Sequence, residues 1–81
     1  MRKELSIKYT VDASGLFCPA PLLKAREGLH KISSGECIEV IATDSGSVRD
    51  FHRLVELTEH KLVEFEQLAQ TYRYVLEKGV K

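Results

Sequence analysis

The sequence predicts an α/β (α+β) two-layer sandwich in which two helices cover one face of a four-stranded mixed sheet. Three observations lead to this class: segments with apolar residues at every second position, two segments with apolar residues at helical spacing, and turn-forming residues at the junctions. They give the order β-α-β-α-β-β. At 81 residues the chain has the length of one domain, which we expect to cover residues 1–81.

The first half of the chain predicts a strand and then a helix. Apolar and polar residues alternate over Leu5–Val11, which is typical of a half-buried strand. The helix is predicted from Pro19 to about Ser33, since proline suits the first helical position. Four apolar residues share one face of this helix, namely Leu22, Ala25, Leu29 and Ile32.

The second half repeats this order and adds two strands. The β-branched segment Cys37–Thr43 predicts a strand. Ser47 and Asp50 resemble a capping box, with Asp in place of the usual Glu, so a second helix is predicted to begin there. The last two strands, Leu62–Gln67 and Tyr72–Glu77, are close enough in sequence to pair antiparallel.

Chain connectivity predicts how the strands pair. The first two strands are linked through a helix and should therefore be parallel. Both helices then cover the same face of the sheet. The other face should be open to solvent, because polar residues alternate with apolar ones in the last two strands.

Composition argues against several classes of function. Twelve basic and twelve acidic residues give a net charge of zero, and no Lys/Arg block is present, so we expect no direct contact with nucleic acid. No apolar run is long enough for a signal peptide or a membrane span, which indicates a cytoplasmic protein without membrane contact. The cysteines and histidines do not fall at zinc-ligand spacing, and so small a domain has little room for an organic cofactor. We therefore expect no metal and no cofactor. We also expect a monomer, which the composition itself does not decide.

Cys18 lies in the segment with the most chemical information, Gly15-Leu16-Phe17-Cys18-Pro19-Ala20-Pro21. It directly precedes the predicted helix, so we predict that Cys18 is the N-cap. A helix N-terminus lowers the pKa of a thiol, but the two prolines leave only Ala20 with an early N–H donor. We therefore predict a moderately lowered pKa for Cys18. The rigid turn should present the sulfur at an exposed apex rather than enclose a substrate.

Cys37 is interpreted as a buried filler residue of the second strand. Parallel pairing would place it at the opposite edge of the sheet from Cys18, roughly 15–20 Å away. A disulfide needs Cα atoms within about 7 Å. We therefore predict no disulfide and no resolving cysteine.

The loop after the second strand should lie beside Cys18, because both strand-to-helix loops of a parallel pair fall at one edge of the sheet. We expect the segment Asp44–Ser47 in this region, and Arg49 close by in the first turn of the second helix. A cation there would favour a thiolate, a persulfide anion or an acidic partner surface. The alternative is that Arg49 is an exposed helix residue. No histidine is placed as the base of a Cys–His pair.

These residues resemble a known family. The pattern Asp12-x-x-Gly15-Leu16-x-Cys18-Pro19-x-Pro21 is similar to the signature of the TusA/SirA-like sulfur carrier proteins. The likeness continues along the chain through Gly35-Glu36, Asp44, Arg49-Asp50, Glu59-His60-x-Leu62-Val63 and Tyr72-x-Tyr74. The Cys-Pro-x-Pro element is specific at this position, after a first strand and before a first helix.

The resemblance implies sulfurtransferase-type chemistry and a β-α-β-α-β-β sandwich. Members of the family accept sulfane sulfur from a cysteine desulfurase or another sulfurtransferase, hold it as a persulfide on the motif cysteine, and relay it to an acceptor protein. Their routes include tRNA thiolation, molybdenum cofactor supply and sulfur oxidation. On this basis Cys18 carries the sulfur, and residues expected to support it or contact a partner are Asp12, Gly15, Phe17, Pro19, Ala20, Pro21, Asp44 and Arg49.

Two residues depart from the family pattern. Ala20 stands where the tRNA-thiolation member has Glu, and Phe17 replaces a basic residue that is common before the motif cysteine. Loss of the carboxylate should lower the pKa of the thiol slightly. Both departures change the surface that a docking partner meets, so a tRNA role is not implied by the motif alone.

Two other functions compete with the sulfur carrier. A non-catalytic module that binds RNA or a regulatory protein would show binding that survives Cys18→Ser, and for RNA that binding would be sensitive to salt. A redox sensor would show reversible oxidation of Cys18 without donor-dependent loading of sulfur.

Overall fold

The fold is seen in a computed structural model that describes residues 7–79. Its elements are β1 (Ile7–Ala13), α1 (Ala20–His30), β2 (Cys37–Ala42), α2 (Gly46–Leu57), β3 (Lys61–Leu68) and β4 (Thr71–Glu77). The predicted class and element order are confirmed. Leu5, where the first strand was predicted to begin, lies outside the described residues.

The four strands form one mixed sheet in the order β1-β2-β4-β3. β1 runs parallel to β2, with Val11 opposite Val40, as the intervening helix requires. β4 is antiparallel to both of its neighbours, β2 and β3. The predicted parallel and antiparallel pairs are therefore both present, and the C-terminal strand occupies a central position.

The hydrophobic core lies between the sheet and the two helices. α1 contributes Ala25 and Leu29, and α2 contributes Phe51 and Leu54, all of them buried. The sheet supplies alternate residues, as expected for strands with one face toward the helices. These sheet residues are Ala13, Ile38, Val40, Ala42, Tyr74 and Leu76.

The opposite face of the sheet carries a charged network centred on Arg73. Its guanidinium binds the Glu39 carboxylate, and its Nη1 lies 2.9 Å from Glu64 Oε1. Val75 stands between these two glutamates in the strand register and is fully buried. The face is polar, as predicted, but it is not uniformly open, because a short side chain on a central strand is covered by longer neighbours.

The helix boundaries differ from the predictions at the N-terminal ends. Pro19, not Cys18, is the N-cap of α1, and Ser45, not Ser47, is the N-cap of α2. Ser47 is fully buried, and its hydroxyl forms a 2.7 Å hydrogen bond with the Tyr74 hydroxyl instead of capping the helix. Burial explains this choice, since a buried hydroxyl needs a protein partner.

α1 also ends earlier than predicted, at His30 rather than near Ser33. The N–H of Lys31 donates to the Gly28 carbonyl at 3.1 Å, which tightens the last turn. Ile32 nevertheless remains buried, because the turn directs it back to the core. Within residues 7–79, no helix is both long and apolar enough to cross a bilayer.

Candidate functional site

The loop between β1 and α1 carries Cys18 and is fastened to the end of β2. Gly15 has a φ of +80°, a left-handed conformation that favours glycine. Its N–H donates to Thr43 Oγ1 at 2.8 Å. Sequence reasoning did not identify Thr43, whose position directly after β2 is the only signal that it could bind a neighbouring loop.

Asp44 holds the backbone of Cys18. Its Oδ2 accepts the N–H of Cys18 at 2.8 Å. Gly46 allows the two loops to approach, because a Cβ at this position would lie 3.2 Å from Asp44 Oδ2 and 3.5 Å from the Cys18 Cβ. The predicted proximity of the loop after the second strand to Cys18 is therefore present, with Asp44 as the direct contact.

The Cys18 thiol is exposed and points to the first turns of α2. Its Sγ donates a hydrogen bond to Asp50 Oδ2 at 2.6 Å. Asp50 was predicted as a capping residue rather than a neighbour of the sulfur. It follows Arg49 in the chain, so the inference that placed Arg49 near Cys18 could have placed Asp50 there as well.

The pKa of the Cys18 thiol is raised, so the predicted lowering is wrong. The largest cause is the hydrogen bond to Asp50, which stabilises the protonated thiol; desolvation and the negative charges of Asp50 and Asp44 act in the same direction. Arg49 lowers the pKa, as predicted for a cation at this position, but its effect is the smallest of those acting on the thiol. The two carboxylates therefore outweigh the one cation.

The start of α1 gives the thiol none of the backbone support that was expected. The Ala20 N–H, the predicted donor, binds the Phe17 carbonyl at 2.8 Å. Cys18 lies one residue before the N-cap and is joined to Pro19 by a cis peptide bond. The sulfur is therefore close to the helix N-terminus in sequence, but Cys18 does not occupy the N-cap position that would favour a thiolate.

The remaining predicted site residues surround this loop in different ways. Phe17 is 77% exposed and offers an apolar surface next to the thiol. Pro21 is fully buried and anchors the first turn of α1, while Pro19 is exposed and Ala20 is half-buried. Asp12 accepts the Ser14 N–H at 3.0 Å, which lowers the pKa of its carboxyl and stabilises the turn after β1.

Cys37 is buried, as predicted, and neither cysteine is in a disulfide. It pairs with Ile7 at one end of the parallel ladder, whereas the Cys18 loop follows Ala13 at the other end. No group of three or more His, Cys, Asp or Glu side chains in the described part of the chain is arranged to hold a metal ion. The chemistry of the site is that of one exposed thiol and two carboxylates.

Comparison with known proteins agrees with this motif and fold. A family model described as "Sulfurtransferase TusA" matches residues 9–78, which is most of the chain. The chain belongs to the TusA family. It is also 41% identical over 69 residues to the sulfur carrier protein TusA of Allochromatium vinosum, a match that covers 85% of this chain and 91% of that protein. The resemblance inferred from the Cys-Pro-x-Pro element is confirmed at the level of the TusA family.

Proposed function

We propose that this TusA-family protein is a sulfur carrier that accepts sulfane sulfur as a persulfide on Cys18 and relays it to a partner protein. The observation that carries the proposal is the exposed Cys18 thiol at the sheet edge, within the family motif. The backbone of the loop is fixed by Asp44 and Thr43, while the sulfur itself is accessible. Such a thiol suits transfer between proteins better than reaction with a small molecule in a closed pocket.

Loading is a thiol exchange at sulfur. The Cys18 thiolate attacks the outer sulfur of a donor persulfide, a new Sγ–S bond forms, and the S–S bond of the donor breaks. The donor cysteine leaves as a thiolate and takes up a proton, while the proton of Cys18 passes to solvent or to a base of the donor. Discharge is the same exchange with the roles changed: the acceptor attacks the outer sulfur of the Cys18 persulfide, the S–S bond breaks, and Cys18 leaves as a thiolate. Sulfane sulfur therefore moves without net oxidation.

The surroundings of Cys18 favour protein partners. Phe17 is exposed beside Cys18 in the chain, and Asp50 is one of the residues that line a groove between α1 and α2 with a volume of about 320 Å³. Leu22, Leu54 and Leu57 also line this groove, together with Arg26 and Arg53, and Leu57 is 75% exposed. Exposed apolar side chains next to a reactive group are typical of a docking surface.

The family determines the classes of partner in this proposal. A cysteine desulfurase or another sulfurtransferase would supply the sulfur, and a second protein in tRNA thiolation, molybdenum cofactor supply or sulfur oxidation would receive it. A cytoplasmic location would keep Cys18 reduced between cycles. The redox-sensor alternative is separated from this proposal by donor-dependent loading of sulfur on Cys18, which a sensor does not require.

The direct test is loading by a cysteine desulfurase with L-cysteine, followed by intact mass measurement. The wild-type chain should gain the mass of one sulfur, and Cys18→Ser should gain none. Cys37→Ala is the matched control and should still load, because Cys37 is buried at the far end of the parallel ladder. Equal loading of Cys18→Ser would refute the proposal.

A further inference from the structure

We infer that a hydrogen bond to Asp50 holds the sulfur of Cys18 in place in the empty carrier. Loading breaks this hydrogen bond and turns the loaded sulfur away from Asp50. Asp50 is thus a positioning residue that distinguishes the two states. The inference rests on the proposed function, since it concerns the persulfide of Cys18. It also makes a statement about the empty protein that can be tested without any sulfur donor.

The geometry of the empty state carries the first step. Asp44 binds the backbone N–H of Cys18, and Asp50 accepts the hydrogen of its Sγ, so backbone and side chain are held from two different places. The thiol is exposed, and Asp50 is the hydrogen-bond partner of its Sγ. The contact with Asp50 therefore decides where the empty sulfur points.

Loading removes the hydrogen on which this contact depends. In a persulfide, Sγ is bonded to carbon and to the outer sulfur, so it presents only lone pairs to Asp50 Oδ2. In this contact, Sγ and Asp50 Oδ2 would then be two groups with lone pairs and no shared hydrogen, which repel each other. The new S–S bond adds about 2.05 Å of length beyond Sγ and requires space that the carboxylate occupies.

Charge acts in the same direction. A persulfide ionises more readily than a thiol, because the adjacent sulfur weakens its S–H bond and withdraws electron density. Asp50 and Asp44 face the anion, and Arg49 is the cation that acts on it. Like charges at this distance disfavour contact, so the outer sulfur moves to the solvent side, where a partner can reach it. The empty thiol, by contrast, remains protonated and less open to oxidation.

A purely structural role for Asp50 gives different results. Asp50 lies in the second turn of α2, since the first turn holds no acidic residue, and a purely structural role there would be a small contribution to the helix whatever the state of Cys18. Such a role would change the stability of the variants but not the reactivity of the thiol. The pH profile of Cys18 alkylation and the response of Asp50 to loading separate the two roles.

The first experiment measures the rate of alkylation of the empty protein by iodoacetamide between pH 6 and 10, with folding checked by circular dichroism. Asp50→Ala removes the acceptor and the charge, whereas Asp50→Asn keeps an acceptor and removes the charge. We expect both to shift the profile to lower pH, with a rate at pH 7 raised roughly three- to tenfold in Asp50→Ala, because the thiolate fraction changes tenfold per unit of pKa. Glu56→Gln, an exposed neutralisation on the same helix, should leave the profile unchanged. Unchanged profiles in both Asp50 variants would overturn the inference.

The second experiment follows the carboxyl carbon of Asp50 by NMR in the wild-type chain before and after loading with inorganic polysulfide. Mass measurement confirms the added sulfur, and Asp50→Asn assigns the resonance. We expect the resonance to move on loading and to remain in place in Cys18→Ser treated in the same way. A resonance that is identical in the empty and loaded protein would overturn the inference. Because polysulfide loads chemically, failure of a protein donor to load Cys18 is a separate result that bears only on the proposed function.

Discussion

The hydrogen bond between Ser47 and Tyr74 should be a main support of the site, and its contribution can be measured. It joins the first turn of α2 to the central strand β4 at 2.7 Å, and both residues are fully buried. Removing one hydroxyl leaves the other buried without its partner, which costs about 1–3 kcal/mol. Ser47→Ala and Tyr74→Phe should therefore each lower the free energy of unfolding by about that amount.

The double variant provides the decisive comparison. The Tyr74 ring packs on Phe51 with a centroid separation of 4.2 Å, and Tyr74→Phe retains that ring. With both hydroxyls absent, no buried polar atom of this pair remains unsatisfied, so the double variant should lose less than the sum of the single losses. We expect a coupling of about 1 kcal/mol, within the usual range for contacting residues.

Urea denaturation followed by circular dichroism measures this cycle at one fixed pH. Each kcal/mol should also appear as a decrease of about 4–8 °C in Tm for a domain of this size. Additive losses in the double variant would contradict the assigned hydrogen bond. Single variants as stable as the wild type would contradict the proposed burial of both hydroxyls.

Three further predictions concern other parts of the fold. Gly28→Ala should destabilise the protein by about 1 kcal/mol in urea denaturation despite the better helix propensity of Ala, because its methyl group would lie 3.2 Å from two side chains of the sheet; greater stability would contradict this. Asp44→Ala should lower the Tm because the Cys18 N–H loses its acceptor. Asp44→Asn keeps an acceptor, so its Tm should stay near that of the wild type. Equal Tm values for the two variants would argue against the contact. The bond from Arg73 keeps the pKa of Glu39 below its ordinary value of 4.5, so this contribution to stability is present above that pH and is lost as the pH falls through the lowered pKa. Acid titration of Glu39→Gln should show a shallower loss of stability, and an unchanged curve would refute the assignment.

Much of the fold could be predicted because it depends on local patterns. Alternation in the strands and helical spacing of apolar residues identified all six elements, and a helix between β1 and β2 implied that they are parallel. The same topology predicted that Asp44 would lie near Cys18. These inferences succeed because the spacing of apolar residues along the chain itself indicates which face of each strand or helix is buried.

The chemistry of the thiol could not be predicted in the same way. It depends on Asp50, which lies 32 positions after Cys18 in the sequence. The two side chains meet only when α2 packs beside the loop that follows β1. Reasoning from the helix N-terminus alone gave the wrong direction for the pKa of Cys18, because a carboxylate in direct contact outweighs a helix dipole without N-cap geometry. Ser47 was misassigned for a related reason, since its burial against Tyr74 is a tertiary contact.

The acidic surroundings of Cys18 act differently on the empty thiol and on the loaded sulfur. A thiol that stays protonated reacts slowly with oxidants and stray electrophiles, while a persulfide is a stronger nucleophile that ionises more easily. Two carboxylates near the sulfur therefore affect the empty and loaded states differently.

Cyanolysis of the loaded protein tests most directly whether Cys18 holds transferable sulfur. Cyanide attacks the outer sulfur of a persulfide, the S–S bond breaks, thiocyanate leaves, and the cysteine returns as a thiolate. Protein loaded by a cysteine desulfurase and freed of reagents should release one thiocyanate per loaded chain and regain its unloaded mass. Thiocyanate release from an equally treated Cys18→Ser variant, or none from the wild type, would contradict the account.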